Sequence, residues 1–200
     1  MVRFGRLFAV AALALGFSAL SAAAVPLTVV NVSAPGINCV FNVTCTITVS
    51  DSIGNFTPPD DSGNARLQSR SYTGVAPAPA AGLGGYEYRV DLTGVQGITA
   101  VNCVSRLRLG FGKDVKLPYA PGVLADVFVV TGGGLGSVGI ASAVALGPTI
   151  IFTFTTPVCP GQTSYFFGLA SKKPMPVASV VTLTYTLPGT PTGTTAVRVP

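Results

Sequence analysis

Residues 129 to 147 read VVTGGGLGSVGIASAVALG and contain the spacing of a nucleotide-binding loop. Gly134, Gly136 and Gly139 spell G-x-G-x-x-G after a strand-like apolar run. Such a loop binds a pyrophosphate where it opens a crossover helix, and an acidic residue about twenty positions later holds the ribose. Here the segment IASAVAL is too short for a crossover helix, and the last acidic residue is Asp126. We therefore interpret the glycines as a turn between two strands and predict no cofactor.

Side chains suited to acid–base or nucleophilic catalysis are scarce. The chain contains no histidine, which excludes Ser-His-Asp and Cys-His arrangements. Glu87 is the only glutamate, and Asp91 follows it by four residues on a predicted strand. At the rise of a strand they would lie about 13 Å apart, beyond the separation used by glycosidases. With Arg89 between them, we interpret them as a charge ladder on a solvated face and predict that the protein is not an enzyme.

An acidic turn is the one candidate for a metal site. Asp60, Asp61 and Asn64 offer oxygen ligands that suit calcium, and Asp51 could join them if the fold brought it near. Their spacing does not match an EF-hand loop, so an Asx turn is favoured and calcium binding is left open. Zinc binding lacks both histidine and a C-x-x-C pair. We predict no metal site.

Five arginines fall on the polar faces of predicted strands. If those strands were neighbours, the side chains would form a basic stripe that could hold an anionic glycan or wall polymer through bidentate contacts. The alternative, which the sequence favours, is a set of cross-strand ion pairs on a solvated sheet face. The five are Arg66, Arg70, Arg89, Arg106 and Arg108.

The chain has four cysteines, at Cys39, Cys45, Cys103 and Cys159. An even number in an exported chain predicts two disulfides, for which three pairings are possible. We favour Cys39–Cys45 and Cys103–Cys159. A turn at VFNV would bring the first two together, since an extended segment would hold them too far apart.

The elements that would position these residues are short strands separated by Gly and Pro. Alternation of polar and apolar residues, or a continuous apolar run, marks each strand. Long helical stretches are absent, and no internal repeat is visible. We predict an all-β fold, a two-sheet antiparallel β-sandwich with Greek-key connections and about eight to ten short strands. PLTVVNVSA is predicted to be the first strand, and the other clear strands are TCTITVS, ARLQSRSYT, YEYRVDL, VNCVSRLRLGF, ADVFVVT, TIIFTFTT and ASVVTLTYTL.

The chain divides into three parts. Residues 1–24 resemble a signal peptide, with a basic start, a short apolar run and small residues at Ala22 and Ala24 before the predicted cleavage site. Residues 25–188 form one β-sandwich domain, and residues 189–200 read as a loosely ordered tail. After cleavage we expect no membrane span.

Removing the two signal-peptide arginines lowers the formal charge from +5 to +3, too small a bias to indicate nucleic-acid binding. We expect a secreted protein, extracellular, periplasmic or at the cell surface. The main hypothesis is a non-catalytic structural or cell-surface protein that self-associates. The alternative is a binding module for an anionic polysaccharide or wall polymer, and a remote alternative is an outer-membrane β-barrel.

Overall fold

A computed structural model describes residues 23–97 and 102–200, and most of the predicted signal peptide lies outside them. These residues form two large sheets packed face to face, which confirms the predicted all-β sandwich. They contain fifteen strands where about eight to ten were expected, because four of the strands have only two to four residues and one predicted run is divided between the sheets. One short helix, α1 (Ala34–Phe41), is added to the strands. The strands are β1 (Val25–Leu27), β2 (Val29–Ser33), β3 (Ser50–Phe56), β4 (Asp61–Thr73), β5 (Gly84–Gly97), β6 (Val104–Gly110), β7 (Asp114–Val115), β8 (Leu117–Ala120), β9 (Val123–Ala125), β10 (Val127–Gly132), β11 (Ile140–Leu146), β12 (Thr149–Val158), β13 (Phe167–Ser171), β14 (Val177–Tyr185) and β15 (Gly193–Val199).

Sheet A has the order β1-β11-β12-β6-β14-β15 and is antiparallel throughout. Sheet B has the order β2-β10-β13-β5-β4-β3, with β7 beside β13. It departs from the predicted antiparallel arrangement at one place, where β2 runs parallel to β10. The strands β8 and β9 form a separate two-stranded sheet.

The main core lies between the two sheets and is built by alternation along their strands. In β6 and β14, Leu107 and Leu183 point inward, whereas Arg106 and Thr184 point outward. Phe167 lies in this core, with its ring centroid 4.9 Å from that of Phe152. Apolar side chains removed from water in this way supply the main driving force for the packing.

A second core covers part of the outer face of sheet B. Helix α1 contributes Ile37 and Phe41, which pack with Tyr72 of β4 and Phe128 of β10. The rings of Phe41 and Tyr72 meet edge to face at 4.8 Å. Sheet B is therefore covered on both faces over part of its area, whereas sheet A is covered on its inner face.

Both sides of the sandwich are closed by the chain. On one side the chain passes from β1 in sheet A to β2 in sheet B at Thr28. On the other side β15 lies against β3, and the Thr195 hydroxyl donates a 3.0 Å hydrogen bond to the Asn55 carbonyl. The Arg198 amide also donates to the Ser69 hydroxyl at 3.2 Å.

Three expectations about individual segments are wrong. TCTITVS is not a strand: helix α1 and an irregular segment precede β3, which begins at Ser50. The side chains of TCTITVS alternate in exposure, but no described strand lies beside the segment to pair with it. The run PLTVVNVSA is two strands in different sheets, because the chain changes sheets at Thr28. The expected loose tail contains β15, which seven residue pairs join to β14.

Candidate functional site

The five arginines predicted to form one stripe are divided between the two sheets. Arg66, Arg70 and Arg89 lie on β4 and β5 of sheet B, on its outer face. Arg106 and Arg108 lie on β6 of sheet A. Because β5 and β6 are consecutive in the chain but belong to opposite sheets, their outer faces point in opposite directions. A single stripe is therefore wrong.

On sheet B two of the arginines form ion pairs. Arg70 Nε lies 2.9 Å from Asp51 Oδ1 on the neighbouring strand, and Arg89 Nη2 lies 3.6 Å from Asp91 Oδ2. Both guanidinium groups lie over the ring of Phe166, at 4.1 and 5.1 Å from its centroid. The Arg70–Asp51 pair matches the alternative of cross-strand ion pairs, whereas Arg89 and Asp91 lie on the same strand, β5.

The outer face of sheet A around Arg106 and Arg108, the basic face, is different. Thr184 and Thr182 of β14 are the respective cross-strand partners of the two arginines. Neither arginine forms an ion pair with any residue that the structure describes. The six strands of sheet A contain no Asp or Glu, whereas Arg198 on β15 adds a third cation. The positive charge on this sheet is therefore not neutralised locally.

Strand β6 leads from the basic face to one end of the sandwich, where all four lysines of the chain are gathered. We call this region the lysine end. Two adjoining cavities there share Lys113 and Lys172, and the larger has a volume of about 770 Å³. The strand and the loop after it read RLRLGFGKDVK. The lysines are Lys113, Lys116, Lys172 and Lys173.

Two carboxyl groups lie among these lysines. Asp126 is buried, accepts a 2.6 Å hydrogen bond from the Thr28 amide and lies 3.3 Å from Lys116 Nζ. Burial, and then a hydrogen bond with Asp126, raise the pKa of Asp114. Asp126 is therefore held by the turn between β1 and β2, and the lysines outnumber the carboxylates at this end.

The predicted solvated position of Glu87 is wrong. Its side chain is 5% exposed, because α1 and the segment after it cover this part of sheet B. The Tyr72 hydroxyl donates a 2.9 Å hydrogen bond to Glu87 Oε1. Burial raises the pKa of Glu87, while the Tyr72 hydrogen bond and Arg70 act against that shift.

Glu87 lines a cavity of about 310 Å³, which we call the Glu87 cleft. Arg70 contributes from β4, Phe166 from the residue before β13, and Ile37 from α1. The glycine-rich loop contributes Gly133, Gly134 and Leu135.

The glycine-rich loop joins two strands, as expected. It connects β10 in sheet B to β11 in sheet A and contains no helix. Gly136 has φ +116°, and a Cβ there would collide with the carbonyl of Ser164. A Cβ at Gly134 would likewise collide with the carbonyl of Val130, so these two glycines are required by the backbone path, whereas Gly139 has room for a side chain. The loop leads into strand β11, where a dinucleotide-binding loop would open a helix.

The acidic turn does not converge on a metal site. Asp60 is exposed at φ 66°, whereas Asp61 is buried at the start of β4. Asp51 is engaged with Arg70. Among residues 23–97 and 102–200, no group of three or more His, Cys, Asp or Glu side chains is placed to hold a metal ion.

The predicted disulfide pairing is confirmed. Cys39–Cys45 joins α1 to the segment after it, and Cys103–Cys159 joins the regions beside β6 and β12 in sheet A. Helix α1 contains Cys39 and extends into the VFNV segment, and a turn follows it in which the Cys45 amide donates a 2.8 Å hydrogen bond to the Asn42 carbonyl. Two disulfides indicate folding in an oxidising environment.

No protein-family model, curated protein or solved structure matches this chain. In the part of the chain that the structure describes, no helix has the length and apolar character needed to cross a membrane.

Sequence reasoning missed the Glu87 cleft and the lysine end. The lysines were visible as two short clusters, but their meeting depends on β7 pairing with β13. The sequence gives a weaker indication of the cleft. Ile37, Phe41 and Ile47 are apolar residues that must be buried, and in the structure they pack against sheet B.

Proposed function

We propose that the protein is an exported, non-catalytic cell-surface protein that binds an anionic polymer, such as an acidic polysaccharide or a phosphate-rich wall polymer. The observation that carries this proposal is the composition of sheet A, whose strands hold three arginines and no acidic residue. The signal-peptide pattern and the two disulfides support export.

The basic face suits a chain of repeated negative charges. Arg106 and Arg108 are two residues apart on one strand and therefore lie about 7 Å apart on the same face. Guanidinium groups bind carboxylates and phosphates through two parallel hydrogen bonds. A polymer that followed β6 would reach Lys113 at the lysine end after leaving Arg108.

The same charge distribution disfavours self-association through this face. Two copies packed face to face would bring arginines towards arginines, with no carboxylate on either strand set to neutralise them. Like charges brought together at an interface oppose binding. An anionic partner removes this cost.

A structural role by self-association is the second candidate, and exposed apolar side chains at the start of β14 favour it. Met175 and Val180 are 77% and 62% exposed, and Val177 lies between them. Light scattering on a sizing column tests this role: ordered assemblies support it, and a monomer at all concentrations contradicts it.

The binding proposal is tested by measuring affinity for polygalacturonate and dextran sulfate, with neutral dextran as a blank. We expect Arg108→Ala to weaken binding about threefold and the Arg106→Ala/Arg108→Ala double variant about tenfold, because each exposed ion pair contributes modestly. Added salt should weaken wild-type binding, since it screens exposed charges.

Arg66→Ala is the matched control. It removes one exposed arginine from sheet B and should leave polymer affinity unchanged apart from the small effect of net charge. Equal losses for Arg66→Ala and Arg108→Ala would show that net charge, and not the basic face, determines binding. Wild-type affinity for neutral dextran equal to that for dextran sulfate would also contradict the proposal.

A further inference from the structure

We propose that the Glu87 cleft binds an uncharged, hydroxylated ring of single-hexose size, such as one neutral sugar unit. The cleft lies against sheet B, and the basic face is the outer face of sheet A. This site is therefore separate from the proposed polymer-binding surface and can be tested without it.

The acceptor in the cleft is the free oxygen of Glu87. Tyr72 holds Oε1, whereas Oε2 has no hydrogen-bond partner among residues 23–97 and 102–200. Glu87 keeps 5% of its surface exposed and lines the cavity. A carboxylate oxygen positioned in this way can accept a hydrogen bond from a ligand hydroxyl.

The donor is Arg70, which lies directly opposite Glu87 on the neighbouring strand. Its Nε is occupied by Asp51 at 2.9 Å, and its guanidinium plane is held over Phe166 at 4.1 Å. The terminal Nη1 and Nη2 groups form no hydrogen bond with any described residue. Directly opposed residues on paired strands have Cβ atoms about 5 Å apart. Adjacent hydroxyls on one ring can therefore donate to Glu87 and accept from Arg70 together.

The charges of the cleft select a neutral ligand. An anion entering the cavity would face Glu87, and a cation would face Arg70, the two charged side chains among its lining residues. An uncharged ligand avoids a like-charge contact with either group, and its hydroxyls can hydrogen-bond to both.

The walls and the volume agree with a small ring. Ile47, from the segment after α1, and Leu135, from the glycine-rich loop, also line the cavity, and Leu135 is 63% exposed. These aliphatic groups can cover the C–H face of a sugar while its hydroxyls turn towards Glu87. The volume of about 310 Å³ lies at the lower end of the range for small-molecule sites.

The test is saturation-transfer NMR on the secreted chain with both disulfides formed. The probes are the methyl glycosides of glucose, galactose, mannose and N-acetylglucosamine. We expect at least one to bind and Glu87→Gln to weaken it about tenfold or more, because the ligand hydroxyl loses a charged acceptor. Gln retains an oxygen for Tyr72, so the variant should fold.

Asp91→Asn is the matched control. It removes a carboxylate two strand positions beyond Arg89, outside the cleft, and should leave glycoside affinity unchanged. Leu135→Ala gives a second test, independent of Glu87, at an exposed position where folding is not at risk; it should also weaken the same glycoside.

Several outcomes would overturn the proposal. They are no response from any of the four glycosides, tighter binding of methyl glucuronide or of glucosamine than of the neutral probes, or wild-type affinity in folded Glu87→Gln. The two proposals fail separately, because Arg106→Ala/Arg108→Ala should keep glycoside binding and Glu87→Gln should keep polyanion binding.

Discussion

Glu87 shows how one side chain is changed by what covers it. It is held under α1 by the Tyr72 hydroxyl and faces Arg70 across the strand pair. Burial disfavours the ionised form and raises the pKa of Glu87, although Tyr72 and Arg70 favour that form. The protein keeps this carboxyl at some cost in stability, as residues at binding sites often do.

The Glu87→Gln variant should gain stability relative to the wild type as pH rises. The unfolded chain releases the Glu87 proton near the ordinary glutamate pKa, whereas the folded chain holds it to higher pH. Wild-type stability therefore falls as pH rises through that interval, and Gln removes this dependence. Urea unfolding of both proteins at about pH 4 and pH 7 measures the difference. A difference that does not change with pH would contradict the assignment.

For single residues, the sequence predicts the direction in which a side chain on a strand points, because polar and apolar residues alternate. Arg106 and Arg108 point outward and Leu107 points inward because neighbours on a strand face opposite sides. The cysteine pairing was also predicted, from the even number of cysteines and the short segment between Cys39 and Cys45. Glu87 could not be predicted, because its cover comes from residues 34–49, whose own fold was not recognised.

Among the elements, β3 and β15 determine whether one side of the sandwich is closed. Gly54 lies where the two strands meet, and a Cβ there would collide with the carbonyl oxygen of Ala196. Glycine is needed at this point for close approach and not for a special backbone angle.

Gly54→Ala should destabilise the protein by about 1–3 kcal/mol, because β3 must move away from β15. Gly110→Ala is the control: it also places a Cβ on a strand, but nothing lies within 4 Å of it. That variant should remain within about 0.5 kcal/mol of the wild type. Urea unfolding curves of the two variants decide the matter, and equal losses would reject a specific β3–β15 contact.

Strand prediction succeeded where an alternating segment has neighbours and failed where it has none. YEYRVDL and ASVVTLTYTL each lie between two paired strands. TCTITVS alternates equally well, but it follows a helix that begins at Ala34, and the Cys39–Cys45 disulfide ties its second residue to that helix. Helix α1 contains Gly and Asn, which are weak helix formers, so packing against sheet B must stabilise it.

The two disulfides constrain very different lengths of chain. Cys103–Cys159 spans 56 positions, and Cys39–Cys45 spans six. Closing a longer loop removes more entropy from the unfolded state. Replacing Cys103 and Cys159 with alanine should therefore lower the free energy of unfolding by about 4 kcal/mol, and replacing Cys39 and Cys45 should lower it by about 2 kcal/mol. Denaturant unfolding of the two double variants tests this order, and a larger loss for the short loop would contradict it.

In the whole molecule, the sheet that each strand joins decides which residues share a surface. Alternation predicts which residues face the core, and this was sufficient for a two-sheet sandwich. It does not predict which sheet a strand joins. The chain changes sheets between β5 and β6 and again between β10 and β11, so neighbours in sequence face opposite ways. The predicted arginine stripe failed for this reason.

The gathering of every lysine at one end has a practical consequence. Reagents that attach proteins to a support through primary amines would react with Lys113, Lys116, Lys172 and Lys173, and so would fix all molecules in a similar orientation. Cleavage after Ala24, as the sequence predicts, would add the amine of Val25, which lines the same cavity. Amine-coupled chips would thus hide the lysine end, into which β6 leads, and display the opposite end of the sandwich.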